Sequence, residues 1–271
     1  MAKARIQLLY MQKSRPLPHP IPVVGTSSNG WIMCIAMASR EHVAAVGDPP
    51  QSRGRSWEQS ASECLYCRTA SPRGGEEHTL SVAMGNWFWV LPRDVVCRRC
   101  NNEVLSRLDT ALLQHPFISL MRVLVDVPGR MGQPPVANAS NMRISRTSGA
   151  IAVETNSTRH VSRDKGIVHL DASWVNQGPR HQRDTARALL KFGLGLLWLA
   201  HGPNETQLGK YDHVRAAIQG DKSVAIDQGF GNSELPAHAL NGIAISRTDA
   251  PVLHVALDYF GVQLWARTHA G

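Results

Sequence analysis

The sequence predicts an α+β chain in which a small cysteine-framed module precedes a larger domain of mixed helix and strand. Three observations carry that prediction. Two Cys-x-x-Cys doublets, "CLYC" at 64–67 and "CRRC" at 97–100, bracket the residues between them. Directly after Cys100, Val104, Leu105, Leu108, Ala111 and Leu112 recur at the three- and four-residue spacing of a helix. Beyond residue 127, short alternating or β-branched runs flank one long helical stretch.

The elements follow in order. Residues 1–60 hold "SRPLPHPIPVVGTSSNG" and "GDPPQSRGRSWEQSAS", rich in Pro, Gly and Ser. Such composition offers too little apolar surface to offset chain entropy, so this segment is expected to be poorly ordered, apart from a short element around 31–45. The same segment reads as an over-extended start, with Met33 or Met37 nearer the beginning. Residues 61–126 form the cysteine module. Its helix starts near Asn101 or Asn102, each suited to an N-cap. "HPFISLMRVLVDV" adds a second helix with Pro116 in its first turn. From 127 to 271 an α+β accessory domain is expected. Strands are read at "NMRISRT", "AIAVET" and "GIVHLDASW", then a long helix from about Arg180 to Ala200. Gly193 and Gly195 lie inside that helix, where each costs about 1 kcal/mol, so they are read as sites of close packing. "YDHVRAAIQ" is a further short helix. "NGIAISRT", "VLHVALDYF" and "VQLWART" close the chain as a hairpin or meander on the long helix.

Composition narrows the class. Hydrophobic residues make up 43% and charged residues 18%, an ordinary balance for a chain that buries a core. Lys and Arg number 29 against 21 Asp and Glu, a formal net charge of +8, and a surface of that sign is compatible with nucleic acid, an anionic membrane surface, or neither. No run approaches the ~20 apolar residues that span a bilayer. "ALLKFGLGLLWLA" is too short and carries Lys191, and "WIMCIAMA" follows a long proline-rich stretch instead of a compact basic start. A cytoplasmic location is expected. Cysteine usage agrees, because paired doublets suit metal binding in a reducing compartment; Cys34, the fifth cysteine, has no evident partner.

Cys64, Cys67, Cys97 and Cys100 suit a tetrahedral, four-thiolate structural zinc site. Zinc would also explain how so small a module folds, since little core is available to it. Arg98 and Arg99 lie inside the second doublet. They read equally as phosphate ligands or as counter-charge to the negative zinc-thiolate centre, and Arg93 lies close by.

Between the doublets, Glu77 and His78 precede a Gly-containing turn, and Asn101 follows the last cysteine: "CLYC", "EH", "MGN", "CRRCNN". In that order these motifs resemble the zinc-knuckle branch of the HNH endonuclease superfamily, across residues 64–109. The resemblance implies a ββα-metal fold, two strands carrying Glu77, His78 and the turn with the 102–113 helix across them. It implies His78 as general base activating a water, and Glu77 and Asn101 as ligands of a catalytic Mg²⁺ or Mn²⁺. The substrate implied is a phosphodiester, most simply in DNA. Two departures stand out. The family's middle asparagine, a few residues before the third cysteine, is replaced by Pro92, Arg93 and Asp94, leaving Asp94, a backbone carbonyl or Asn86 for its role. The proline often found after the Glu-His pair is absent.

Plainer readings attach to single residues. Asn101 alone reads as a helix cap, the Trp87, Phe88, Trp89 cluster as core or a hairpin face, and His115 as a helix-start residue. In a regular strand Glu77 and His78 point to opposite faces. The alternative to an endonuclease is a non-catalytic zinc-binding nucleic-acid module with a decayed HNH site. A third reading is a protein-interaction domain in which zinc is only scaffold.

Overall fold

The computed structural model describes residues 62–70, 73–86, 88–139, 178–232 and 252–269. It also describes strands at 23–26, 31–39, 142–147, 150–155, 161–164, 167–170 and 239–247. In chain order the strands are β1 (Val23–Thr26), β2 (Trp31–Ser39), β3 (Glu77–His78), β4 (Val90–Leu91), β5 (Val136–Ala139), β6 (Met142–Thr147) and β7 (Ala150–Thr155). They continue as β8 (Val161–Asp164), β9 (Ile167–Leu170), β10 (Ile226–Asn232), β11 (Ala239–Arg247), β12 (Leu253–Tyr259) and β13 (Val262–Thr268). The helices are α1 (Ser106–Leu113), α2 (Pro116–Val125), α3 (Pro179–His201), α4 (Pro203–Thr206) and α5 (Asp212–Gln219). The chain is a mixed helix-and-strand, α+β structure.

Its largest sheet has six antiparallel strands in the order β1-β2-β11-β12-β13-β10. Alternation drives β12: Leu253, Val255, Leu257 and Tyr259 are all buried, one face of a strand with a two-residue period. The β12–β13 turn places Phe260 at φ 50 and Gly261 at φ 94, the positive pair that a tight hairpin of matching twist requires. The expected closing meander is therefore present, and α3 lies across β11, β12 and β13.

Helix α3 starts with Pro179 at its first position and stops at Gly202, whose φ is 78. Its two internal glycines are contact points, as their placement suggested. A Cβ on Gly193 would lie 2.2 Å from Val255 Cγ2 of β12, and one on Gly195 would lie 2.6 Å from Thr79 Cγ2. Each omission lets a neighbouring element reach the helix axis. Helix α2 begins at Pro116, with His115 as the preceding residue, and ends at Asp126 in the left-handed conformation.

The start of the first helix departs from expectation. Helical backbone begins at 98, so Asn101 and Asn102 lie within the first turns and do not cap them; a π-helical stretch, Cys100–Leu105, leads into α1. The second knuckle supplies the first turn itself, since Asn101 N–H donates to Cys97 O at 3.0 Å. In the N-terminal segment, β2 pairs with β11, Ile35 facing Ile243, and takes in both Met33 and Met37. Its nine-residue run is apolar almost throughout, so no alternation marks it as a strand, and it lies between β1 and β11. Residues 1–22, 27–30 and 40–61 lie outside the described residues.

The expected divisions at 61–126 and 127–271 share one hydrophobic core. Cys64, Leu65, Tyr66, Leu91, Val96 and Leu105 belong to the same buried cluster as Leu190, Phe192, Leu197, Val255 and Tyr259. Helix α1 packs on α3, so the cysteine module rests on the long helix.

Candidate metal centre and functional site

The first knuckle closes by two backbone bonds, Cys64 N–H to Thr69 O and Arg68 N–H to Cys64 O, both 2.9 Å, with Arg68 left-handed at φ 58. The second is tied to it by Leu65 N–H to Val95 O at 3.0 Å. Backbone donors then point at sulfur: Cys97 N–H to Cys64 Sγ at 3.3 Å and Cys100 N–H to Cys97 Sγ at 3.4 Å. The four sulfurs lie within 4.8 Å of one another, and Cys67 and Cys97 sulfurs are 3.6 Å apart. Zn–S bonds of about 2.3 Å at tetrahedral angles put sulfurs about 3.8 Å apart, so the four thiols fit an ion such as zinc. A hydrogen bond from Cys100 pulls the Cys64 thiol down to about 5, and the same bond pushes Cys100 up.

Helix α5 cradles this centre, a role the sequence reading missed. Gln219 Nε2 donates to Cys100 Sγ at 3.4 Å and to Tyr66 O at 3.2 Å. Arg215 Nε donates to Leu65 O at 2.8 Å, and its other nitrogens reach Asp212 and the Thr206 carbonyl. The signal in the sequence was only amphipathic spacing, in which buried Val214, Ala217 and Ile218 turn the helix inward.

Glu77 and His78 form β3, antiparallel to β4 with Glu77 facing Leu91 and His78 facing Val90. The strand sends them to different environments. Glu77 is 6% exposed, and its Oε1 lies 2.7 Å from Lys191 Nζ. That ammonium, fully buried on α3, also donates to Asp109 Oδ1 at 2.8 Å and to His78 O at 3.0 Å. Three N–H bonds meet three acceptors, so the lysine is satisfied. Burial works against its charge, but Asp109 and Glu77 outweigh burial and raise its pKa. Burial likewise raises Glu77, with Lys191 offsetting part of the rise. The two directions conflict over how fully the pair is charged; we take Lys191 as charged, because two carboxylates and a carbonyl surround it. Neither Lys191 nor Asp109 was singled out from sequence, since a lysine inside an apolar helix gives no sign of its partner.

The His78 ring is half-buried, and burial lowers its pKa, against a smaller upward pull from the backbone of Asn86. Its Nδ1 has no hydrogen-bond partner among the described residues. Asn86 ties the turn after β3: its amide donates to Leu80 O at 2.7 Å, and its carbonyl oxygen accepts from Trp89 N–H at 2.9 Å. Of the residues open to the missing asparagine's role, Asn86 therefore orders the loop beside His78. Asp94 bonds elsewhere, its Oδ1 accepting from Gly74 N–H at 3.1 Å. Trp89 is core, packed 5.5 Å from Phe192 between ring centroids, and Trp87 lies outside the described residues.

Asn101 faces a different feature, a cleft of about 490 Å³ lined by Arg73, Gly74, Gly75, Asp94, Arg98, Asn101 and Asn102. Thus Glu77 is brought to Lys191 and Asp109, while Asn101 is brought to Arg98 and Asp94; neither Glu77 nor His78 lines that cleft. Arg93 and Arg99 are exposed chain neighbours of its lining residues. Among the described residues no helix is long and apolar enough to cross a membrane. Comparison with protein-family models, with curated proteins and with solved structures found no match to this chain.

Proposed function

We propose that this chain is an endonuclease of the HNH type that hydrolyses phosphodiester bonds in DNA. The observation that carries the reading is the setting of His78. It lies on a two-strand hairpin followed by a helix, with four clustered thiols at the base and an imidazole that burial keeps neutral. A neutral imidazole accepts a proton from water, the oxygen attacks phosphorus, and the 3′ oxygen leaves. Asn86 and the β3–β4 pairing hold the ring's backbone in place for that transfer.

The resemblance also assigns a divalent cation, Mg²⁺ or Mn²⁺, which would stabilise charge on the phosphate and the departing oxygen. Asn101 lies on the cleft, apart from Glu77 and His78, so the implied ligand set is not brought together. Glu77 does not fit as an open ligand, because its carboxylate is buried and held by Lys191. That pairing favours a second reading, a zinc-binding nucleic-acid module whose catalytic set has decayed. Plasmid nicking with Mg²⁺ or Mn²⁺, absent when both are withheld at unchanged zinc content, supports the nuclease. Salt-sensitive DNA binding with no cleavage under any divalent ion supports the second reading.

A further inference from the structure

We propose that the cleft beside the second knuckle seats the phosphodiester backbone of a nucleic-acid strand, gripped by Arg73 and Arg98. This deepens the nuclease reading by naming the hold on its substrate, and it is tested separately from hydrolysis.

The cleft is a built feature. Its two walls, the 73–75 loop and the chain around 94–102, are joined reciprocally: Gly74 N–H donates to Asp94 Oδ1 at 3.1 Å, and Asp94 N–H donates to Gly74 O at 3.3 Å. Asp94 adopts φ 64 to close this bracket. Gly74 allows the approach, since a Cβ there would lie 2.0 Å from Val96 O. The loop is therefore anchored to the same knuckle that holds Cys97 and Cys100.

What faces the opening is unspent. Among the described residues, the side chains of Arg73, Arg98, Asn101 and Asn102 make no hydrogen bond or ion pair. Three other described arginines are committed: Arg68 to Glu63 and Asp212, Arg187 to Asp184, Arg215 to Asp212 and backbone carbonyls. Two free guanidinium forks match phosphate oxygens in geometry and charge. Two free amides on the same rim add donors of the type that contacts phosphate and sugar. Asp94 contributes one opposing carboxylate, with one oxygen already bonded to Gly74.

The shape and surroundings select a polymer over a compact anion. A Cβ at Gly75 would meet nothing within 4 Å, so that wall is open. Arg93 and Arg99 are exposed and adjacent in sequence to lining residues Asp94 and Arg98, which adds positive charge to the same stretch of chain. A strand with a charge on every nucleotide can pass through an open-walled cleft and meet both guanidiniums; a single phosphate would occupy only one of them.

The test is fluorescence anisotropy with a labelled DNA duplex, its single strand and the matching RNA, across a salt series without added Mg²⁺ or Mn²⁺, with plasmid nicking measured in parallel when either ion is added. Full-length wild type, Arg73→Gln/Arg98→Gln and His78→Ala are compared, with zinc content and circular dichroism as fold controls. The proposal expects wild type to bind at least one of these with a steep salt slope. The double variant should lower that slope by about two, one per lost phosphate contact. Absence of binding by wild type, or an unchanged slope and affinity in a folded double variant, overturns it. Binding without cleavage would sink the hydrolytic reading and leave this one standing. Cleavage with unchanged affinity in the double variant would do the reverse.

Discussion

Lys191 Nζ lies 2.7 Å from Glu77 Oε1, and this contact joins the long helix of the C-terminal half to the two-residue strand that carries His78. The lysine is fully buried and also holds Asp109 of α1, so three elements meet at one ammonium. Removing it would strand the buried Glu77 carboxylate and leave the partly exposed Asp109 without its partner. Lys191→Met is expected to cost about 3–5 kcal/mol in chemical denaturation. Adding Glu77→Gln and Asp109→Asn to Lys191→Met removes the stranded charges and should return part of that loss. An unaffected midpoint in the single variant would refute the buried triad.

Acid should weaken the fold through His115. Burial, with a smaller repulsion from His181, lowers the pKa of this residue to about 4. A histidine with a depressed folded pKa contributes stability that is complete above its unfolded value near 6.5. That stability is lost as pH falls toward 4, because the unfolded chain then binds the proton more readily. The window is pH 6.5 to 4 and the amount about 3 kcal/mol. His115→Phe should flatten the pH dependence of the denaturation midpoint in that window. A slope identical to wild type would contradict the assignment.

Metal removal should act on the fold directly. The four sulfurs tie both knuckles to the start of the helix leading to α1, and Gln219 of α5 bonds one of them. Zinc released by a strong chelator should appear in proportion to protein, with the melting temperature falling as it leaves. Cys64→Ser should reproduce the fall without chelator. Protein purified without metal that melts at the same temperature as the zinc-loaded form would show that the thiols serve another purpose.

Gly195 marks where α3 meets the residue after His78. A Cβ there would lie 2.6 Å from Thr79 Cγ2 and 3.2 Å from the Tyr66 hydroxyl. Tyr66 in turn donates to Lys191 O at 3.2 Å. Gly195→Ala should therefore destabilise by about 1–3 kcal/mol, despite alanine's higher helix propensity. A more stable variant would mean the helix is not seated against the Thr79 turn.

Much of this architecture was legible because local patterns coincide with what they build. The doublets marked the thiol cluster, Pro116 marked the start of a helix, and Gly193 and Gly195 marked close contacts. What was illegible depends on distant partners. Lys191 looked like an interruption in an apolar helix, and only its proximity to Glu77 and Asp109 explains it. Likewise "WIMCIAMA" is apolar throughout and shows no strand period, and its pairing with β11 joins segments far apart in the chain. Asn101 was read as a cap because spacing shows where a helix begins only to within a turn. The candidate site divided along the same line: motif order proposed Glu77, His78 and Asn101 together, but the ion pair with Lys191 is a tertiary fact.

Cleavage of a supercoiled plasmid by His78→Ala, set beside wild type at equal zinc content and with added Mg²⁺ or Mn²⁺, bears most directly on the account. The expected result is a loss of about 100-fold or more, the worth of a positioned general base, with the thiol-bound metal retained. Equal nicking by the two proteins would contradict it.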